Sequence, residues 1–134
     1  MAVANRERVL RAATSSFLAR GYGSSVDDIA RRAGVAKQTV YHHFPSKDSL
    51  FREVARELAM SVLVELEGDD VRAALLRFAL AYRERALGAQ GIAAFRTLVP
   101  AAPRFKGLAK SMYANTAGEL VQRLAQYLGA AMRD

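Results

Sequence analysis

Between Ser25 and Phe44 the apolar residues are spaced for two short helices that meet at a glycine, and no other stretch constrains the fold as tightly. Ser25 and Asp28 stand three apart, the spacing of a capping box, in which the hydroxyl takes an orphan backbone N–H and the carboxylate reaches back to the cap. A helix is expected from Val26. Ile29, Ala30 and Ala33 fall on one face of it, and Gly34 arrives where a helix ends on a residue that tolerates positive φ. Val35 then plugs the turn, while Val40 and Phe44, four apart, give the second helix a narrow apolar seam against the first. The rest of that second helix is Lys37, Gln38, Thr39, Tyr41, His42 and His43, with no acid among them. Almost every one of these side chains can donate a hydrogen bond, which suits phosphate oxygens and base edges. The pair reads as a DNA-binding helix-turn-helix.

The remaining signals are helical too, with no alternating Val/Ile/Thr run that would make a strand, so an all-α fold is expected. A first helix is predicted from Asn5, a good N-cap, to Arg20, with Val9, Leu10, Ala13 and Phe17 inward and Gly21 as terminator. Pro45 forbids continuation of the reading helix. Ser46 caps a long fourth helix on which Leu50, Phe51, Val54, Leu58, Val62 and Leu66 keep the 3.6-residue period. Gly68-Asp69-Asp70 marks a break before a helix over Val71 to Ala86, and Gly88 to Gly91 another before a short helix ending near Pro100. Pro103 suits the first position of a further helix running to Tyr113 or Asn115, and a last helix is predicted to end near Met132. Two regions follow, a DNA-binding domain over 1–46 and a helical body over 47–134.

Composition narrows the classes. A 51% hydrophobic content is ample for a buried core and excludes a disordered chain. Twenty Lys and Arg against thirteen Asp and Glu give a net charge of +7, which favours a polyanionic partner. The excess is spread along the chain, +4 over residues 1–60 and +3 over 61–134, so the motif rather than the charge carries the assignment. There is no cysteine, hence no disulfide or thiolate metal site. No apolar run approaches the roughly 20 residues that span a bilayer, and no signal-peptide plan opens the chain, so a cytoplasmic protein off the membrane is expected. The tandem His42-His43 lies on helix positions about 100° apart with no acid or third histidine at ligand spacing, and no metal or other cofactor is expected. No paired carboxylates, nucleophile with base, or Gly-rich phosphate loop points to an enzyme.

The run from Arg8 to Leu50 resembles the N-terminal domain of the TetR family of bacterial transcriptional regulators. The resemblance rests on Ala13, Phe17, Gly21-Tyr22, Ser25-Val26-Asp27-Asp28-Ile29-Ala30, Ala33-Gly34-Val35 and Val40-Tyr41-His42-His43-Phe44-Pro45-Ser46-Lys47. The sequence departs from the family pattern at Ala36, where serine or threonine is usual, and at Gln38, where a small residue is usual. Ala36 leaves the reading helix without its best cap, at a cost of about 0.5–2 kcal/mol. The resemblance implies a repressor whose second motif helix enters the major groove of each half of a palindromic operator. It assigns Ser25, Tyr41, His42 and Lys47 to phosphates and Lys37, Gln38 and Thr39 to bases, with a phosphate contact as the alternative for Thr39. Lys47 has support of its own, since a lysine in the first turn of a helix opposes the dipole and calls for another reason to be there.

The family's C-terminal body commonly encloses a small-molecule pocket, which implies an apolar or aromatic effector near Phe78, Tyr82, Phe95, Leu98, Phe105, Met112 and Tyr113. Aromatic residues at helical spacing are more often a plain core, so the pocket rests on the resemblance. In the last helix the polar residues Asn115, Glu119, Gln122, Gln126 and Arg133 keep to one stripe with Gly129. Leu120, Val121, Leu124, Leu128 and Met132 belong to an apolar circumference wider than one neighbour requires, which points to a homodimer interface. TetR-like regulators usually continue through further helices beyond this point, so the chain is expected to be a truncated member. The competing reading is a helical protein-interaction module whose head no longer reads DNA.

Overall fold

The computed structural model describes residues 2–133, and every regular element among them is helical. In chain order these are α1 (Ala2–Arg20), α2 (Val26–Ala33), α3 (Lys37–His43), α4 (Lys47–Met60), α5 (Val71–Leu87), α6 (Ala89–Ala101), α7 (Leu108–Tyr113) and α8 (Glu119–Arg133). Helices α1 to α3 pack into a small head with the start of α4, and α6 and α7 lean on it from the body. One buried cluster runs through both parts. Val9, Ala13, Phe17, Ile29, Val40, Leu50 and Phe51 form its head side, and Leu98, Phe105 and Leu108 enter from the body.

The motif helices form for the expected reasons. The Asp28 N–H donates to Ser25 Oγ at 3.0 Å, and Gly34 closes α2 in the left-handed region at φ 69°. Only half of the capping box is made, because the Asp28 carboxylate turns instead to Arg32, Arg20 and Arg31 at 2.8, 3.0 and 3.3 Å. A complete box stands at α4, where Ser46 and Ser49 each accept the other's backbone N–H. Gly21, at φ 74°, ends α1 as predicted, and a short 3₁₀ turn over Gly21–Gly23 follows.

Four boundaries differ from the sequence reading. Helix α1 starts at Ala2, since Ala2-Val3-Ala4 holds nothing that breaks a helix, and Asn5 accepts from the Arg8 side chain instead of capping. Helix α4 ends at Met60, well before Leu66. Residues 61–70 cross the body without helix; Val64 is the side chain they bury, and the strap is tied by Arg85 to Leu63 O, Arg77 to Glu67 O and Tyr127 to Gly68 O. The apparent period through Val62 and Leu66 fits every second residue of an extended chain as well as a helix face. Gly88 alone divides α5 from α6, and Gly91 lies inside α6, where an added Cβ would strike the Ala86 and Arg85 carbonyls. Pro103 sits in a 3₁₀ turn over Ala102–Arg104 and opens no α-helix; Phe105 is extended, Gly107 takes φ 79°, and α7 begins at Leu108. A π-helical turn, Ala114–Gly118, then joins α7 to α8 without a break.

Candidate nucleic-acid interface

Val40 of α3 and Phe44 at its C-cap are buried, 1% and 4% exposed, which seats the helix against α1 and α2 and fixes which face remains outside. Lys37, Gln38, Tyr41 and His42 are exposed on that outer face, Thr39 is half-buried, and Ala36 offers no side-chain cap. Lys37 is held on Asp27 of α2 by an ion pair of 3.1 Å, and this bond raises its pKa above the ordinary lysine value. It must let go to reach a base. Asp28, the other acid of α2, is surrounded by arginines. Burial pushes its carboxyl up, but the Arg32 hydrogen bond and the charges of Arg32, Arg20 and Arg31 outweigh this and bring the pKa below the usual carboxylate range. The head therefore presents little free negative charge beside its donors.

Ser25 and Lys47 flank this helix in sequence. Ser25 Oγ accepts from the Asp28 N–H, which leaves its hydroxyl proton for an outside acceptor. Lys47 Nζ lies 4.3 Å from the centre of the Tyr22 ring, and Arg104, from the segment before α7, places its guanidinium carbon 4.4 Å from the same centre. The Tyr22 hydroxyl donates to Asp48, and burial, reinforced by this bond, raises its pKa. Burial and the Arg104 charge lower the Lys47 pKa against the opposing pull of Asp48. The sequence marks Arg104 only as a cation beside an aromatic in a break between helices. Nothing local connects it to Lys47.

Of the seven residues proposed for an effector, the structure brings three together. Phe95, Leu98 and Met112 line a half-open cavity of about 680 Å³ between the end of α4, α5, α6 and the α7 run, with Leu58, Val62 and Thr116 also on its wall. Phe78 and Tyr82 stack on each other along α5, 6.4 Å apart, and Tyr113 is 65% exposed; none of them lines it. Phe105 faces the opposite way. Its ring stacks on Phe51 at 5.0 Å and meets Tyr22 edge-on at 5.4 Å. On α8, Leu120 is buried inside its own body, Leu124 and Leu128 are half-buried, and Val121 and Met132 are exposed. Leu120 is thus spent on the protomer, because it faces the core rather than the free side of α8.

The head matches the family model for bacterial regulatory proteins of the tetR family over residues 9–54. Residues 73–134 match the C-terminal domain of an AefR-like transcriptional repressor. The flavonoid-responsive regulator FrrA is 32% identical and superimposes with a TM-score of 0.77 over 96% of this chain and 68% of that one. The chain belongs to the TetR family. Mb2274c, an uncharacterised HTH-type transcriptional regulator of Mycobacterium bovis, is 38% identical to this TetR-family chain over 84 residues, 60% of this chain and 44% of that one. The matched stretch thus spans less than half of that curated relative. A TetR-family structure from Mesorhizobium loti MAFF303099, 23% identical, agrees in fold with a TM-score of 0.84 over 99% of this chain and 70% of its own.

Proposed function

We propose that this TetR-family regulator is a repressor that binds a palindromic operator as a homodimer and releases it when a small apolar or aromatic effector occupies the body. The acid-free outer face of α3 carries the proposal: Lys37, Gln38 and His42 stand in solvent on a helix fixed by buried Val40 and Phe44. In this reading Lys37, Gln38 and Thr39 read bases and Ser25, Tyr41, His42 and Lys47 hold phosphates. The head is residues 1–46 with the first turns of α4, and the body is the remainder. The protein acts in the cytoplasm, by binding and not by catalysis.

The cavity supports the effector. Its volume falls within the range of small-molecule sites, roughly 300–1,000 Å³, and Phe95, Leu98 and Met112 make its wall apolar. An effector releases DNA only by binding the non-DNA-binding conformation more tightly, and the difference equals the coupling free energy. The exposed Val121 and Met132 with half-buried Leu124 and Leu128 leave an unpartnered side of α8 for the dimer. A twofold axis would set two reading helices about 34–36 Å apart, one turn of DNA, or a multiple of it.

Selection from a random duplex library tests the reading. A palindrome should emerge, and Gln38→Ala should lose preference at one base position per half-site, at a cost of about 1–3 kcal/mol on the preferred sequence. Retention on DNA with no sequence preference would instead favour a protein-interaction module.

A further inference from the structure

The segment between α6 and α7 carries Arg104, Phe105 and Lys106, an aromatic flanked by two cations. Phe105 is 2% exposed and wedged against Phe51 and Tyr22 of the head, and this wedge fixes where its neighbours emerge. Arg104 emerges on the ring that Lys47 already occupies, each cation within 4.4 Å of its centre. Arg52, whose guanidinium lies 5.1 Å from the Phe105 ring, donates to the Lys106 carbonyl beside them. Asp48 is the carboxylate of this cluster, 3.8 Å from Arg104 and an acceptor for the Tyr22 hydroxyl.

Cations outnumber acids here, and they act on one another. Burial, together with the Arg104 charge, holds the Lys47 ammonium below its ordinary pKa. An anion within reach of both cations would relieve that repulsion. Arg104 is able to take one, since its side chain is 58% exposed and its nearest acceptors are Tyr22 Oη at 3.3 Å and Asp48 at 3.8 Å. Most of its five N–H donors remain free, in the fork geometry that suits phosphate oxygens.

We propose that Lys47 and Arg104, gathered on the Tyr22 ring, hold one DNA backbone phosphate jointly, so that the body contacts the duplex as well as the head. This rests on the DNA-binding reading above and adds a contact outside the helix-turn-helix. It also ties DNA affinity to the position of the segment 102–107. That segment runs from α6 to α7, which carry the cavity residues Leu98 and Met112, so a cavity occupant that moves these helices withdraws Arg104 from the phosphate.

Fluorescence anisotropy of the full chain on its selected operator, titrated at several salt concentrations, tests the clamp. The double variant Lys47→Gln/Arg104→Gln should lower the slope of log K against log salt by about 0.9 per chain, one phosphate contact, and Arg104→Gln alone, which leaves Lys47 on that phosphate, by a measurable part of this. Arg104→Lys should keep the slope, and Arg83→Gln, an exposed arginine of α5, should leave it unchanged. Asp48→Asn should tighten binding several-fold by removing the competing carboxylate, a gain that misfolding cannot imitate. An Arg104→Gln slope equal to wild type, an Arg104→Lys slope as low as that of Arg104→Gln, or no gain from Asp48→Asn overturns the clamp while the DNA-binding reading stands. A wild type that binds no duplex overturns both.

Discussion

Replacing Phe105 with alanine separates a core wedge from a ligand contact. The ring is 2% exposed, stacked on Phe51, edge-on to Tyr22, and covered by the Arg52 guanidinium at 5.1 Å. Burying an aromatic side chain removes about 150–250 Å² from water, worth about 4–6 kcal/mol at ~25 cal/mol per Å² as an upper limit. Alanine keeps the Cβ, and such substitutions in cores cost about 3–5 kcal/mol. The Arg52 contact, at a surface site, adds about 0.5–1 kcal/mol. Phe105→Ala should therefore lose about 4 kcal/mol, which moves the urea midpoint by about 2 M for a denaturant slope of ~2 kcal/mol/M. Phe105→Leu, closer in volume, should lose less than about 1.5 kcal/mol. Phe95→Ala, at a ring 68% exposed on the cavity edge, should stay within about 0.5 kcal/mol. Urea unfolding followed by circular dichroism reads all three. A loss below about 1 kcal/mol for Phe105→Ala would show that the ring is not wedged between head and body, and the coupling argued from it would go too.

Asp27→Asn should release Lys37 from its 3.1 Å ion pair with little effect on stability, because water screens so exposed a pair. DNA affinity should rise, and an anisotropy titration showing no gain would remove Lys37 from the interface. Acid should weaken the fold through Asp28 and Glu53. The Glu53 pKa is lowered by the Arg56 hydrogen bond, against burial, with the Arg56 and Arg6 charges adding to it. Both carboxyls have folded pKa values below their unfolded ones, so their contribution is complete above about pH 4–4.5 and is lost as pH falls through the folded values. Unfolding free energies followed down to pH 3 should fall less steeply in Asp28→Asn/Glu53→Gln than in wild type, and parallel acid limbs would contradict the assignment. Val121→Glu, at an exposed position of α8, should abolish self-association without lowering the melting temperature of the protomer. Sedimentation showing an unchanged dimer would place the interface elsewhere.

Helical content, the glycine at the motif turn and the seating of α3 were all legible in the chain, because each depends on neighbours within about one turn. Ser25 finds the Asp28 N–H, Gly34 takes positive φ, and Val40 and Phe44 share one face whatever the rest of the protein does. The exposed face carrying Lys37, Gln38 and His42 follows from the same period. Where a local pattern admitted two structures, distant groups chose between them. The hydrophobic rhythm through Val62 and Leu66 suited a helix, but Arg77, Arg85 and Tyr127 hold the backbone of 61–70 in an open strap. Asp28 could have completed its capping box, yet three arginines, one of them from α1, offered the carboxylate more. Pro103 suited a helix start, and Phe105 instead needed an extended backbone to reach Phe51. The division of the aromatic residues between core and cavity, and the meeting of Arg104 with Lys47 on Tyr22, had no local signal at all. Hydrogen bonds along a helix and the 3.6-residue period reach only a few residues, whereas burial and charge act between whatever side chains the packed chain brings into contact.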